Sequence, residues 1–74
     1  MPRRFLNWTA EDVVRFLKTH GFVLNYTKGS HYFYFSRGRQ VCVPFHGSRV
    51  IKPRTLKGII RQSGIPKEIW LLDK

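Results

Sequence analysis

Acidic residues are scarce in this chain. Glu11, Asp12, Glu68 and Asp73 stand against fourteen lysines and arginines, for a net charge of +10. A nuclease site that holds divalent ions gathers carboxylates, yet two of these four lie in the first turn of a predicted helix and two near the C-terminus. A two-metal site is therefore not expected. Cysteine is scarcer still: Cys42 stands alone, which excludes an intramolecular disulfide and a disulfide-stapled secreted scaffold. With His20, His31 and His46 it forms none of the paired spacings of a zinc site, so no metal and no cofactor are expected. No run is apolar enough for a signal peptide or a spanning helix. A soluble, intracellular protein that does not engage a membrane is the expectation. Internal repeats, low-complexity tracts and linkers are also missing.

What is present is ample material for a core. The hydrophobic fraction is 42%, with six Phe, three Tyr and two Trp in 74 residues. That length suits one domain, residues 1–74, burying about 60% of its unfolded surface. The basic residues are spread from Arg3 to Lys74, so the whole domain is charged rather than one tail. Such a field favours polyanions, nucleic acid first, then an anionic membrane or an acidic protein.

The order of elements follows from periodicity and punctuation. Thr9 reads as a helix N-cap with Asp12 completing a capping box. Val13, Phe16, Leu17 and His20 share a face, and Gly21 stops a helix over about 10–20. His20, on that apolar face, reads as a core or C-cap residue. Three β-prone runs follow, about 22–27, 31–36 and 40–45. Lys28-Gly29 and Arg37-Gly38-Arg39 turn between them, giving an antiparallel meander. Pro44 has no N–H for a ladder, which makes the third strand an edge. Pro53 fits the first turn of a second helix over about 53–63, with Leu56, Ile59, Ile60 and Ser63 inward and Gly64 ending it. A last turn over 66–71 would dock Ile69, Trp70 and Leu71. The expected fold is α+β: α-β-β-β-α, a three-stranded antiparallel sheet with two helices on one face.

At about 100° per residue, Arg54, Lys57 and Arg61 fall within roughly 60° of one another, opposite the apolar stripe. Arg49 and Lys52 lie just upstream. No acid opposes the positive end of this helix, so Lys52, Arg54, Lys57 and Arg61 are candidates for binding phosphates. The other reading of this face is a solvated helix back.

The stretch "KGSHYFYF", Lys28 to Phe35, puts a histidine at the head of an aromatic strand. A Ser30–His31 nucleophilic pair fails, because neighbouring strand residues point to opposite faces, and Ser48 has no support as an external nucleophile. Metal-free acid–base chemistry remains. An unperturbed imidazole titrates near pH ~6.5 and can both accept and donate a proton. RNA carries its own nucleophile, the 2′-hydroxyl, so one base and some cationic stabilisation suffice to cleave it. DNA lacks that group. Alternatively, His31 is a partly buried strand residue. Alternation groups His31, Phe33 and Phe35 on one face and Ser30, Tyr32 and Tyr34 on the other. If the phenylalanines face the core, His31 is buried with them; if the tyrosines do, His31 and the phenylalanines meet solvent.

Three segments, "GFVLNYTKGSHYFYF", "VCVPFH" and "IKPRTLKGIIRQSGIPKEIW", together resemble the HicA toxins of bacterial HicAB toxin–antitoxin systems. The family pattern has a Lys-Gly-Ser-His turn, a Val-Pro-x-His strand end and a Gly-Thr-Leu-x-x-Ile-Leu-x-Gln-x-Gly helix. The resemblance covers about residues 9–70 and implies a fold like that of double-stranded RNA-binding domains. It implies a cytoplasmic bacterial endoribonuclease that cleaves mRNA with His31 as the catalytic residue, and a HicB-type antitoxin that covers the active face. This chain has Pro-Arg-Thr-Leu where the family has a Gly-Thr-Leu helix entrance, and "MPRRFLNW" extends the usual start.

The expected function is thus a metal-independent mRNA interferase, with His31 as acid or base and Lys28 contacting phosphate or the transition state. Lys52, Arg54, Lys57 and Arg61 would hold flanking phosphates. His46 is either a second proton-transfer group or an ordinary strand-end histidine. The alternatives are a non-catalytic RNA-binding module of the double-stranded RNA-binding class and a structural partner of an acidic protein.

Overall fold

A computed structural model of the chain describes residues 7–46 and 49–72; most of the N-terminal extension, Ser48 and Asp73 lie outside the described residues. The elements run α1 (Ala10–Thr19), β1 (Val23–Lys28), β2 (His31–Ser36), β3 (Arg39–Pro44), α2 (Pro53–Ser63) and α3 (Lys67–Leu72). The architecture is α+β, with one antiparallel sheet in the order β1-β2-β3.

The first helix starts where its capping box demands. The Asp12 N–H donates to Thr9 Oγ1 at 3.2 Å and the Thr9 N–H donates to Asp12 Oδ2 at 3.0 Å, satisfying two groups the helix cannot pair itself. At the other end His20 is the C-cap. Its Nδ1 lies 2.9 Å from the Phe16 carbonyl, to which it donates, and its ring stacks on Phe16 at 4.1 Å.

Two tight hairpins shape the sheet. Lys28 pairs with His31 across Gly29-Ser30, and Gly29 has φ +58°, the left-handed first position of a II′-type loop. Ser36 pairs with Arg39 across Arg37-Gly38, whose φ values are +49° and +81°, as an I′-type loop requires. Arg37 is there without the freedom of glycine.

The core is built by α1, α2 and the inner side of the sheet. Val13, Phe16 and Leu17 of α1, Leu56, Ile59 and Ile60 of α2, and Tyr34, Val41 and Val43 of the sheet are buried. Two tryptophans far apart in sequence close one end. Trp70 of α3 stacks on Phe16 at 3.8 Å, and Trp8 meets Trp70 edge-on at 5.5 Å. The Ile51 N–H donates to the Trp8 carbonyl at 2.7 Å, tying the approach to α1 to the loop before α2. Of the three C-terminal residues expected to dock, only Trp70 is buried. Leu71 is half-buried and Ile69 is exposed, because a short helix turns one residue, not three in a row, toward the core.

The sheet's two edges differ. Along β3 the Cys42 N–H donates to Gln62 Oε1 of α2 at 3.1 Å, and Pro44 presents no donor at all. Lys52 and Thr55 stand beside Pro44, Gln62 beside Cys42, and Gly64 beside Arg39. The second helix therefore runs antiparallel to β3. Along β1 all six residues are exposed.

Candidate functional site

The strand β2 decides which side chains are available to a ligand. Tyr32 and Tyr34 turn inward: Tyr34 is buried and Tyr32 packs on Phe45, ring centroids 4.9 Å apart. Consequently His31, Phe33 and Phe35 lie on the outer face, and His31 and Phe35 are exposed. Of the two alternatives that alternation left open, the tyrosines took the core, because their inward side meets the apolar stripes of the helices.

The Gly29-Ser30 hairpin brings the near end of β1 onto the same face, and a β-bulge turns its far end. The register runs Val23–Phe35 and Leu24–Tyr34, skips Asn25, and resumes as Tyr26–Phe33, Thr27–Tyr32 and Lys28–His31. Counted from the hairpin, the extra residue reverses the facing of Leu24 and Val23 beyond it. In the hairpin register Tyr26 stacks on Phe33 at 4.4 Å, interplanar angle 11°, and Lys28 stands directly opposite His31 on the solvent side. Without the bulge, Leu24 rather than Val23 would stand opposite Phe35 on the outer face. The outer face so assembled carries an imidazole and an ammonium at one end and Tyr26, Phe33, Phe35 and Val23 along its length.

On the other side of His31 is Pro44. The Phe45 N–H donates to the Ser30 carbonyl at 2.7 Å, so the ladder continues one residue past the strand. Because that pair is hydrogen-bonded, the neighbouring His31–Pro44 pair is a non-hydrogen-bonded one, with Cα atoms about 4.5 Å apart. Beyond Pro44 opens a cavity of about 260 Å³ whose walls include Pro44, His46, Arg49, Lys52 and Thr55. It joins the end of β3 to the entrance of α2. Lys52 is the N-cap of that helix with no side-chain cap hydrogen bond, Pro53 follows it, and no acid lies in the first turn.

The basic residues expected from sequence are thus divided. Lys28 is beside His31. Lys52 lines the cavity next to the partner of His31. Arg54, Lys57 and Arg61 are exposed along the helix back; since α2 runs antiparallel to β3, Arg54 is at the His31 end and Arg61 near the opposite one. Over those seven residues the helix rises about 10 Å. Thr55 and the cavity itself were not legible in the sequence, since a pocket between a strand end and a helix entrance has no local pattern.

Other chemistry has less to work with. Burial pushes the Cys42 thiol up from its usual value, which keeps it protonated and poorly nucleophilic. Among the described residues no three His, Cys, Asp or Glu side chains come together as a group able to hold a metal ion, and no helix is long and apolar enough to cross a membrane.

No curated protein matches the chain significantly. A family model described as the HicA toxin of bacterial toxin–antitoxin systems matches residues 10–65. That span takes in α1, the whole sheet with Lys28 and His31, the cavity and α2, leaving out residues 7–9 and 66–72 among those described. By that match over most of its length, the chain belongs to the HicA toxin family, toxins that generally cleave mRNA and that each have an antitoxin partner.

Proposed function

We propose that this toxin is a metal-independent endoribonuclease of mRNA in the bacterial cytoplasm, acting as a single domain of residues 1–74. The observation that carries the reading is the exposure of His31 at the head of β2, opposite Lys28, on a sheet face free of helices. A polynucleotide can reach that imidazole without any rearrangement of the core. His31 serves as the acid–base group: with its proton off, it accepts the proton of a ribose 2′-hydroxyl as that oxygen attacks the adjacent phosphorus. Lys28 supplies positive charge where negative charge gathers on the phosphorane. Tyr26, Phe33 and Phe35 offer rings on which unpaired bases stack, and Lys52, Arg54, Lys57 and Arg61 attract phosphates along the strand. The three described carboxylates support metal independence by their positions: Asp12 is bound into the capping box, Glu11 is beside it on α1 and Glu68 is on α3.

The antitoxin partner is of the HicB type in this reading. Val23, Tyr26 and Phe35, exposed by 63%, 46% and 41%, give it apolar surface beside the histidine. Covering that surface blocks RNA and inhibits the toxin in one step.

The test is cleavage of RNA in excess chelator. Wild type cuts; His31→Ala loses about 10²–10⁴-fold in rate yet binds an RNA with a 2′-deoxy block at the cleavage site as wild type does. Full cutting by His31→Ala would remove His31 from the mechanism. Binding without cutting by wild type would make the chain an RNA-binding module instead.

A further inference from the structure

Cleaving an RNA phosphodiester needs two proton transfers, and His31 accounts for one of them. The 5′-oxygen that leaves phosphorus departs as an alkoxide unless a second group protonates it. We infer that His46 is this second group, the general acid of the same reaction, and that the cavity it shares with Arg49, Lys52 and Thr55 receives the leaving side of the RNA.

His31 is opposite Pro44, and the Phe45–Ser30 hydrogen bond of 2.7 Å carries the pairing one residue further. In extended chain, residues two apart share a face. Cys42 and Pro44 oppose Phe33 and His31, so they lie on the outer face, and carrying that alternation two residues past Pro44 assigns His46 to the same face. Phe45 between them is turned inward onto Tyr32, which fixes the sense of the alternation at this point. On that assignment His46 takes the diagonal position to His31, two residues beyond its partner Pro44. Such pairs have Cα atoms about 7–8 Å apart, within reach of long and aromatic side chains. Two imidazoles at that separation can stand on either side of one phosphate.

Proline is what leaves the space between them open. The Pro44 ring is short and rigid and fills less of the gap than a longer side chain would. Past it, His46 and Lys52 converge on a cavity of about 260 Å³ with Arg49 and Thr55. Three potentially cationic side chains and one hydroxyl there, from the loop and from α2, suit the phosphate that follows the scissile one. Both histidines are exposed, so neither must be uncovered first.

The step balances without any co-reactant. The 2′-oxygen–phosphorus bond forms while His31 takes the 2′-hydroxyl proton; the phosphorus–5′-oxygen bond breaks while His46 gives a proton to the departing oxygen. The products are a 2′,3′-cyclic phosphate and a 5′-hydroxyl.

This inference rests on the ribonuclease reading above, and the experiment separates the two. Wild type, His31→Ala and His46→Ala are assayed on an RNA with a single cleavable linkage and on the same RNA with sulfur replacing the bridging 5′-oxygen, since a thiolate leaves without protonation. On ordinary RNA, His46→Ala is expected to lose about 10²–10⁴-fold in rate; on the sulfur-bridged RNA it should regain most of that loss, while His31→Ala stays impaired on both. Affinity for the 2′-deoxy-blocked RNA, measured alongside, should fall little for His46→Ala and several-fold for Arg49→Ala and Lys52→Ala. Wild-type rates for His46→Ala on ordinary RNA, or an equal loss on both substrates, would overturn the assignment and leave His31 standing. If wild type cleaves neither RNA, both readings fall together.

Discussion

Phenylalanine and tyrosine differ by one hydroxyl, and β2 sorts them onto opposite surfaces against their polarity. Tyr32 and Tyr34 line the core, whereas Phe33 and Phe35 lie on the open face with His31. A scale of hydrophobicity alone would reverse the arrangement. Cross-strand neighbours explain it: the tyrosines are opposite Val43 and Val41, both fully buried, while the phenylalanines are opposite Cys42 and Gln40. A tyrosine can bury its ring with its hydroxyl at the rim of a core. Phe33 is half-buried beneath Tyr26, on which it stacks, whereas the exposed Phe35 ring has no such structural reward, which supports the binding role proposed for this face.

The contrast is tested most severely by truncating each side. Tyr34→Ala should cost about 3–5 kcal/mol in urea unfolding, as removal of a buried ring does. Phe35→Ala should change stability by no more than about 0.5 kcal/mol while weakening RNA binding. Equal destabilisation would mean the outer face is structural after all. Within the basic outer surface, position relative to His31 should matter next. Lys52→Ala, at the cavity, is expected to lower RNA affinity several-fold and reduce the magnitude of the salt slope by about 1, and Arg61→Ala, near the other end of α2, to do less. Titrations across a range of salt would show whether the two differ.

Both surfaces hang from one backbone, and the Arg37-Gly38 turn can be relieved without touching either. Arg37→Asn should stabilise the fold by about 0.5–1 kcal/mol, since asparagine tolerates a left-handed φ and suits an I′ loop; thermal unfolding measures it, and cleavage should be unchanged. The smallest effect concerns the inner side at high pH. Burial, with a lesser contribution from Tyr32, raises the Tyr34 phenol above its usual value. Its neutral form is therefore favoured in the folded state. That stabilisation is complete below the ordinary tyrosine range near pH ~10 and is lost as pH rises through the folded value. Urea midpoints taken from pH 9 to 11, about the unperturbed value, should decline less in Tyr34→Phe than in wild type.

Much of the fold was legible because it is written locally. Thr9 with Asp12, Gly29, the Arg37-Gly38 pair, Pro53 and Gly64 each mark an end or a turn by their own stereochemistry. The expected strands over 22–27 and 40–45 were each displaced by only one residue, to Val23–Lys28 and Arg39–Pro44. The site was less legible. His31 and Lys28 could be singled out, but nothing in "VLNYTK" announces that Asn25 is passed over in the pairing. The role of the approach to α1 was also hidden: Trp8 is fully buried and reaches Trp70 across the whole length of the chain.

The order of elements, the basic character and the inventory of proton carriers were determined by the sequence by itself, since caps, turns, periodicity and composition act within a few residues. Only the tertiary structure decided which side of β2 meets the helices, that Lys28 faces His31, and that Lys52 and His46 share a cavity. Those relations depend on which sheet face the helices cover, on the hairpin pairing of β1 with β2 and on the docking of α2 along β3, and the energies that select them come largely from contacts between distant parts of the chain.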